Sequence, residues 1–186
     1  AFQLSLSANN TSVCEGDAVE LTATVDGDGT YQYTWTVTEG SGEFSEAAAT
    51  TYFTPSSAGN CVIKCSVNDG TNTVEKTIQL TVYDVPELTV SPNTFDIDAN
   101  GVAIIELTYS GQDQPNISNY EIIDEIDSSV ANKLVITTKP LKETTELTFK
   151  LYNFDSPYGE YDGVYGYLCA AEETVTINVE EALFVE

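Results

Sequence analysis

Val19-Glu20-Leu21-Thr22-Ala23-Thr24-Val25 alternates apolar with polar side chains at every step. In an extended strand Val19, Leu21, Ala23 and Val25 share one face, and Glu20, Thr22 and Thr24 share the other. A helix would need apolar residues at a period near 3.6, which this stretch lacks. Tyr31, Tyr33, Trp35 and Val37 alternate in the same way, with the single Trp of the chain in mid-strand. Similar short runs recur along the sequence, broken roughly every eight to twelve residues by Gly, Pro, Asn or Asp, the spacing of a β-sandwich or barrel. The fold class is therefore all-β.

The pattern predicts strands over residues 2–8, 18–25, 31–38, 50–53, 61–67 and 73–82 in the first half. In the second half it predicts strands over 88–91, 94–98, 102–109, 119–124, 133–138, 144–153 and 174–180, with at most one helical turn over 124–131. Between the halves lies Tyr83-Asp84-Val85-Pro86. Pro86 carries no backbone N–H and cannot continue a sheet ladder. The predicted domains are residues 1–84 and 85–186. Each half opens with a strand, makes a tight turn (Glu15-Gly16-Asp17, Ala99-Asn100-Gly101), enters an alternating strand and closes on two long strands.

Charge excludes several functions. Thirty Asp and Glu stand against six Lys, with no Arg and no His, for a net charge of −24 over 186 residues. Nucleic-acid binding draws its affinity from cations that neutralise phosphates, so this surface repels such a partner, and it repels anionic membranes for the same reason. Without His the chain lacks the side chain that titrates nearest neutrality, and without Arg it lacks a bidentate anion clamp. Paired carboxylates remain for glycoside cleavage, but that chemistry needs a cleft. No enzyme is expected. No run of about 18 apolar residues is present, so no membrane-spanning helix is expected. Met is absent, and Ala1 is compatible both with removal of an initiator Met and with a cleaved signal peptide.

Several segments are candidate sites. Asp96-Ile97-Asp98-Ala99-Asn100-Gly101 has the opening of an EF-hand calcium loop, but its twelfth position is Leu107 where a bidentate Glu is required, and its flanks alternate as strands. A β-turn is the reading preferred. Other acidic loops, with Asp26 and Asp28 or with Asp155, Glu160 and Asp162, are the remaining candidate calcium ligands; no cofactor is otherwise expected. The four cysteines, 14, 61, 65 and 169, match no metal-binding spacing. Cys61 and Cys65 lie on one face of one strand, roughly 13 Å apart at about 3.3 Å per residue, too far to bond to each other.

The stretch Phe154-Asp155-Ser156-Pro157-Tyr158-Gly159-Glu160-Tyr161-Asp162-Gly163-Val164-Tyr165-Gly166-Tyr167 stands between the last two predicted strands, where the first half spends only residues 68–72. Tyr with Gly, Ser and Asp is the composition of adaptable binding loops, since Tyr offers a large amphipathic contact at low entropic cost. Tyr158, Tyr161, Tyr165 and Tyr167 are thus candidate partner-binding residues. The alternative for this long loop, 154–172, is packing on its own domain or against the first. Leu183 and Phe184, in the apolar tail Ala182-Leu183-Phe184-Val185, and the opening Phe2-Gln3-Leu4 are candidate attachment segments, because a free strand can add to a partner's sheet edge.

Val13-Cys14-Glu15-Gly16-Asp17-Ala18-Val19-Glu20-Leu21-Thr22-Ala23, Tyr33-Thr34-Trp35, Thr54-Pro55-Ser56-Ser57-Ala58-Gly59 and Val67-Asn68-Asp69-Gly70 resemble the polycystic-kidney-disease-like (PKD-like) and bacterial immunoglobulin-like modules. The second half, through Leu88-Thr89-Val90-Ser91-Pro92 and Asn100-Gly101, is similar to a more distant relative. The resemblance implies two immunoglobulin-like antiparallel β-sandwiches in tandem. It also implies that the first turn and the start of the sixth strand share one end, which favours a Cys14–Cys61 disulfide, with Cys169 left for a bridge across domains; inward-facing reduced cysteines are the alternative.

Such modules display surface. The preferred expectation is a structural or display protein on the exterior of a large assembly, a phage capsid decoration or fibre protein at the virion surface. It would attach to a protein assembly through a terminal segment. The alternative is an exported bacterial cell-surface adhesin or carbohydrate-binding module, its tyrosines stacking on a surface glycan. Reduced cysteines favour the first and oxidised cysteines the second.

Overall fold

The computed structural model describes residues 2–161, 164–167 and 169–181. The chain divides into two compact units, Ala1–Asp84 with Phe154–Cys169, and Val85–Asn153 with Ala170–Glu186.

The first unit contains eight strands of one module: β1 (Gln3–Ala8), β2 (Ser12–Cys14), β3 (Val19–Asp26), β4 (Gln32–Glu39), β5 (Gly42–Phe44), β6 (Thr50–Pro55), β7 (Gly59–Asn68) and β8 (Thr73–Tyr83). They form two four-stranded sheets, in the orders β1-β3-β6-β5 and β2-β8-β7-β4. All neighbours are antiparallel except β2 and β8, which run parallel. The alternating stretch is β3, with Val19, Leu21 and Ala23 buried and the polar residues between them on the outer face. Cys61, Ile63, Cys65 and Val67 do the same on β7. Burying each large aliphatic side chain contributes about 1.5–3 kcal/mol, so this alternation fixes which face of each strand turns inward.

Trp35 lies in this core with Leu21, Ile63 and Cys65, and is paired in register with Cys65. Its indole N–H donates to the Ala48 carbonyl at 2.8 Å, which satisfies its one polar atom. The ring lies 6.3 Å from that of Phe44, itself 4.9 Å from Phe53.

The second module repeats the plan. Its strands are β9 (Leu88–Val90), β10 (Thr94–Asp98), β11 (Ile104–Tyr109), β12 (Asn116–Ile117), β13 (Ile123–Asp127), β14 (Lys133–Thr138), β15 (Thr145–Tyr152) and, after a hairpin of β16 (Tyr158–Tyr161) and β17 (Val164–Tyr167), β18 (Ala170–Glu180). The sheet orders β13-β14-β11-β9 and β10-β18-β15-β12 match the first module strand for strand. Here too one pairing, β10 with β18, is parallel. The core joins Ile105, Leu107, Leu134, Ile136, Leu147, Phe149, Val175 and Ile177. Thr138 is a buried polar residue of the second module, and its hydroxyl accepts the Ala103 N–H at 2.9 Å. The stretch expected as a strand from 119 begins instead with a short 3₁₀ turn, Tyr120–Ile122. Asn119 sits left-handed at φ 48°, a conformation Asn tolerates, so extended pairing starts only at Ile123.

Two substitutions probe the first core. Trp35→Ala should lower unfolding stability by about 3–5 kcal/mol, the cost of deleting a large core aromatic. Gly42 allows a close backbone approach: a Cβ there would run into the ring of Phe53, which is fully buried. Gly42→Ala should therefore cost about 1–3 kcal/mol in urea unfolding, as overpacking does. An unchanged midpoint would mean that Phe53 has room to turn aside.

Candidate functional site

The two modules differ most in one connection. In the first, residues 69–72 close the turn from β7 to β8. The Asp69 carboxylate accepts the Thr71 and Asn72 N–H groups at 2.8 and 2.6 Å, and these bonds, Asn72 first, hold its carboxyl below the ordinary value. In the second, the equivalent connection from β15 to β18 extends over residues 153–169 and contains the β16–β17 hairpin.

The hairpin register pairs Tyr158 with Tyr167, Gly159 with Gly166, Glu160 with Tyr165 and Tyr161 with Val164. Because a strand alternates, positions 158, 160, 165 and 167 fall on one face and positions 159, 161, 164 and 166 on the other. Three of the four candidate tyrosine positions thus share a face, and position 161 is separated from them. The excursion was expected as a loop of the second domain; residues 154–169 group instead with the first unit.

A disulfide explains that grouping. Cys14, at the end of β2, is bonded to Cys169 with an S–S distance of 2.10 Å and a Cα–Cα distance of 5.7 Å. Both residues are buried. The Cys169 N–H is 3.3 Å from the hydroxyl oxygen of Ser156, itself buried. Ser156 carried no sequence signal, since a serine beside a proline in an acidic loop looks solvated.

The expected Cys14–Cys61 pairing is therefore corrected, and Cys61 is a free thiol. The reason lies in the sheet. The short strand β2 joins the same sheet as β7, with β8 between them. Cys14 stands beside Tyr83 while Cys61 stands beside Leu80, so the two are separated by two strand spacings, roughly 10 Å, and by an offset along the strands as well. A disulfide cannot reach that far.

Cys61 and Cys65 are both free and buried on β7. Burial pushes the Cys65 thiol up from 9.0 to about 11. Cys61 is raised by burial and, secondarily, by the charge of Glu39. Both stay protonated and unreactive at neutral pH.

Among the described residues the acidic candidates are engaged locally; Asp162 and the side chain of Glu160 lie outside them. Gly101 N–H donates to the Asp98 carbonyl at 2.8 Å, closing the Asp98–Gly101 turn, and Asn100 N–H donates to the Leu141 carbonyl at 2.7 Å. Asp96 and Asp98 lie on β10, and Asp96 accepts from the Asn178 amide at 2.8 Å. The Asp26 carboxylate accepts the Gln3 N–H. Among the described residues no group of three or more Asp, Glu or Cys is placed to hold a metal ion. Asp162, Leu183 and Phe184 lie outside the described residues. At the other end, β1 is already paired with β3, Leu4 is in the core, and the Phe2 ring meets Tyr31 edge-on at 5.0 Å.

The strand orders and the matched cores define the class: two immunoglobulin-like β-sandwich modules in tandem. Residues 3–82, which make up nearly all of the first module, match the PKD domain family model. The PKD and immunoglobulin-like folds are typically non-catalytic. A search of curated proteins found no match. Among solved structures, the chain is similar to the fibronectin(III)-like modules of Clostridium thermocellum CbhA (15% identity, 98% of this chain and 97% of that one, TM-score 0.32). It is similar to human protocadherin-24 EC1-2 (15%, 96% and 97%, TM-score 0.36) and to the Yersinia pseudotuberculosis adhesin InvE (16%, 95% and 59%, TM-score 0.37).

Thiol chemistry checks this arrangement. The native protein should resist alkylation at neutral pH, and denaturation without reductant should expose the two free thiols, Cys61 and Cys65. The pH dependence has a definite sign. The fold favours the neutral Cys65 thiol, so its contribution is complete below the unfolded value near 9.0 and is lost as pH rises towards about 11. Stability should fall across that window in the wild type and fall less steeply in Cys65→Ala.

Proposed function

We propose that this chain is a non-enzymatic structural and adhesive protein of an exported cell surface, two rigid modules presenting the tyrosine hairpin to a protein assembly or a surface glycan. The observation that carries the reading is the Cys14–Cys169 disulfide, because such bonds form and persist in oxidising compartments. PKD-type and immunoglobulin-like modules are in keeping with an extracellular or surface role. The hairpin adds a specific contact: aromatic rings on one strand face stack on sugar rings or fill apolar pockets, and such a local contact is needed when net charge makes copies repel.

Display on a virion exterior, as a capsid decoration or fibre protein, is the second reading. The charge of −24 favours it, since dense copies on a particle stay apart from one another. Attachment through a terminal segment belongs to either reading.

Protease shaving of intact source cells, with an antibody against the chain, separates these readings. Accessibility at the cell surface, with two titratable thiols in the unreduced protein, supports the exported reading. Co-sedimentation with purified particles supports the virion reading. Retention in a protease-protected cytosolic fraction with four titratable thiols would sink the exported reading, and the further lack of co-sedimentation with particles would sink both.

A further inference from the structure

We propose that the Cys14–Cys169 bond is a force shunt: tension that enters the chain before residue 14 and leaves it after residue 169 bypasses almost everything between. The argument rests on covalent topology. The bonded residues are 155 positions apart. Within the ring they close lie β3 to β15, both connections at 84–85 and 153–154, and the β16–β17 hairpin. A covalent bond does not yield at the loads that peel hydrogen-bonded strands apart, so these elements cannot be drawn out lengthwise by chain-directed pulling and take load only through their pairing with β1, β2 and β18.

Among the described residues, most of what remains in the load path is already extended. On one side are β1 and β2, which end at Cys14 itself. On the other is β18, which begins at Ala170, the residue after Cys169. Strands of this kind have little slack, since they already rise close to the full residue length. β18 is also held from both sides, by β10 across Thr94–Asp98 and by β15 across Thr145–Tyr152. Leu4, Val13, Val175 and Ile177 are core residues on strands in the path, whereas Trp35 and the tyrosine hairpin lie inside the closed ring. The hairpin thus cannot be drawn out while the bond is intact. This goes beyond the surface role proposed above and does not depend on it.

The test is single-molecule pulling of the full 186-residue chain between handles at its two ends. In the oxidised wild type only residues 1–14 and 169–186 can extend, about 110 Å in all at about 3.4 Å per residue. After reduction by a dithiol, which supplies two electrons and two protons and leaves two thiols, the released length should rise roughly sixfold, to about 630 Å. A Cys14→Ser/Cys169→Ser variant should behave like the reduced protein; if it fails to fold, the oxidised and reduced wild type still decide the matter. An oxidised chain that releases about 480 Å would indicate a Cys14–Cys61 bond, and one that releases about 630 Å would indicate no shielding bond. Either outcome overturns the proposal. A failed surface localisation with a short oxidised extension would leave the shunt standing and remove only the cell-surface role.

Discussion

One covalent bond organises the part of this molecule that its two sandwiches do not explain. Each module could be described from its own core, yet residues 154–169 leave the strand order of the second module and group with the first. The Cys14–Cys169 disulfide holds that placement. In the chain-entropy picture, closing a loop of this length removes about 5 kcal/mol of unfolded-state freedom. Its second effect is local. Cys169 directly precedes β18, so the closed ring ends one residue before the strand with which β10 and β15 both pair.

Around that bond, the charge is kept where water can screen it. The buried polar residues among those described are Thr51, Thr138 and Ser156, all hydroxyls and none a carboxylate. Lys64, Lys133 and Lys150 reach Glu75, Glu106 and Glu172 across neighbouring strands at 3.3, 2.8 and 3.6 Å. Such exposed pairs contribute little each, about 0–1 kcal/mol. Their value here is positional, because each offsets like-charge repulsion on a sheet face with few cations to spare. The net charge therefore limits association with other copies without entering either core.

The sequence was most legible where burial is one-sided. β3, β4 and β7 announce themselves because a slip of one residue would turn every apolar side chain outward. β2 and β5 were missed for opposite reasons. Ser12–Cys14 is too short to show a period, and Gly42–Phe44 opens on glycines that read as a turn, whereas Gly42 is there because the Phe53 ring leaves no room for a Cβ. β16 and β17 were hidden by Gly159 and Gly166, which interrupt the alternation, although the tyrosines themselves marked the segment. Of the disulfide, the use of Cys169 in a bridge across domains was legible and its pairing with Cys14 was not. Local pattern reports which face of a strand is buried, and it carries no information about which unit a distant loop joins.

That gap bears on where function resides. Two modules with the same strand order would be expected to serve the same purpose, yet they diverge at the connection between their last two strands. The first closes it with Asp69, whose carboxylate is spent on the backbone N–H groups of Thr71 and Asn72. The second spends the same position on an independent two-stranded sheet, four tyrosine positions and a covalent anchor. Ordering an excursion of this size costs conformational entropy that the short turn over residues 69–72 does not. A hairpin held at one end by a buried disulfide is pre-organised, and pre-organisation lowers the cost of binding. On the surface role proposed above, the same bond that groups the segment with the first unit would lower the cost of engaging a partner through the hairpin.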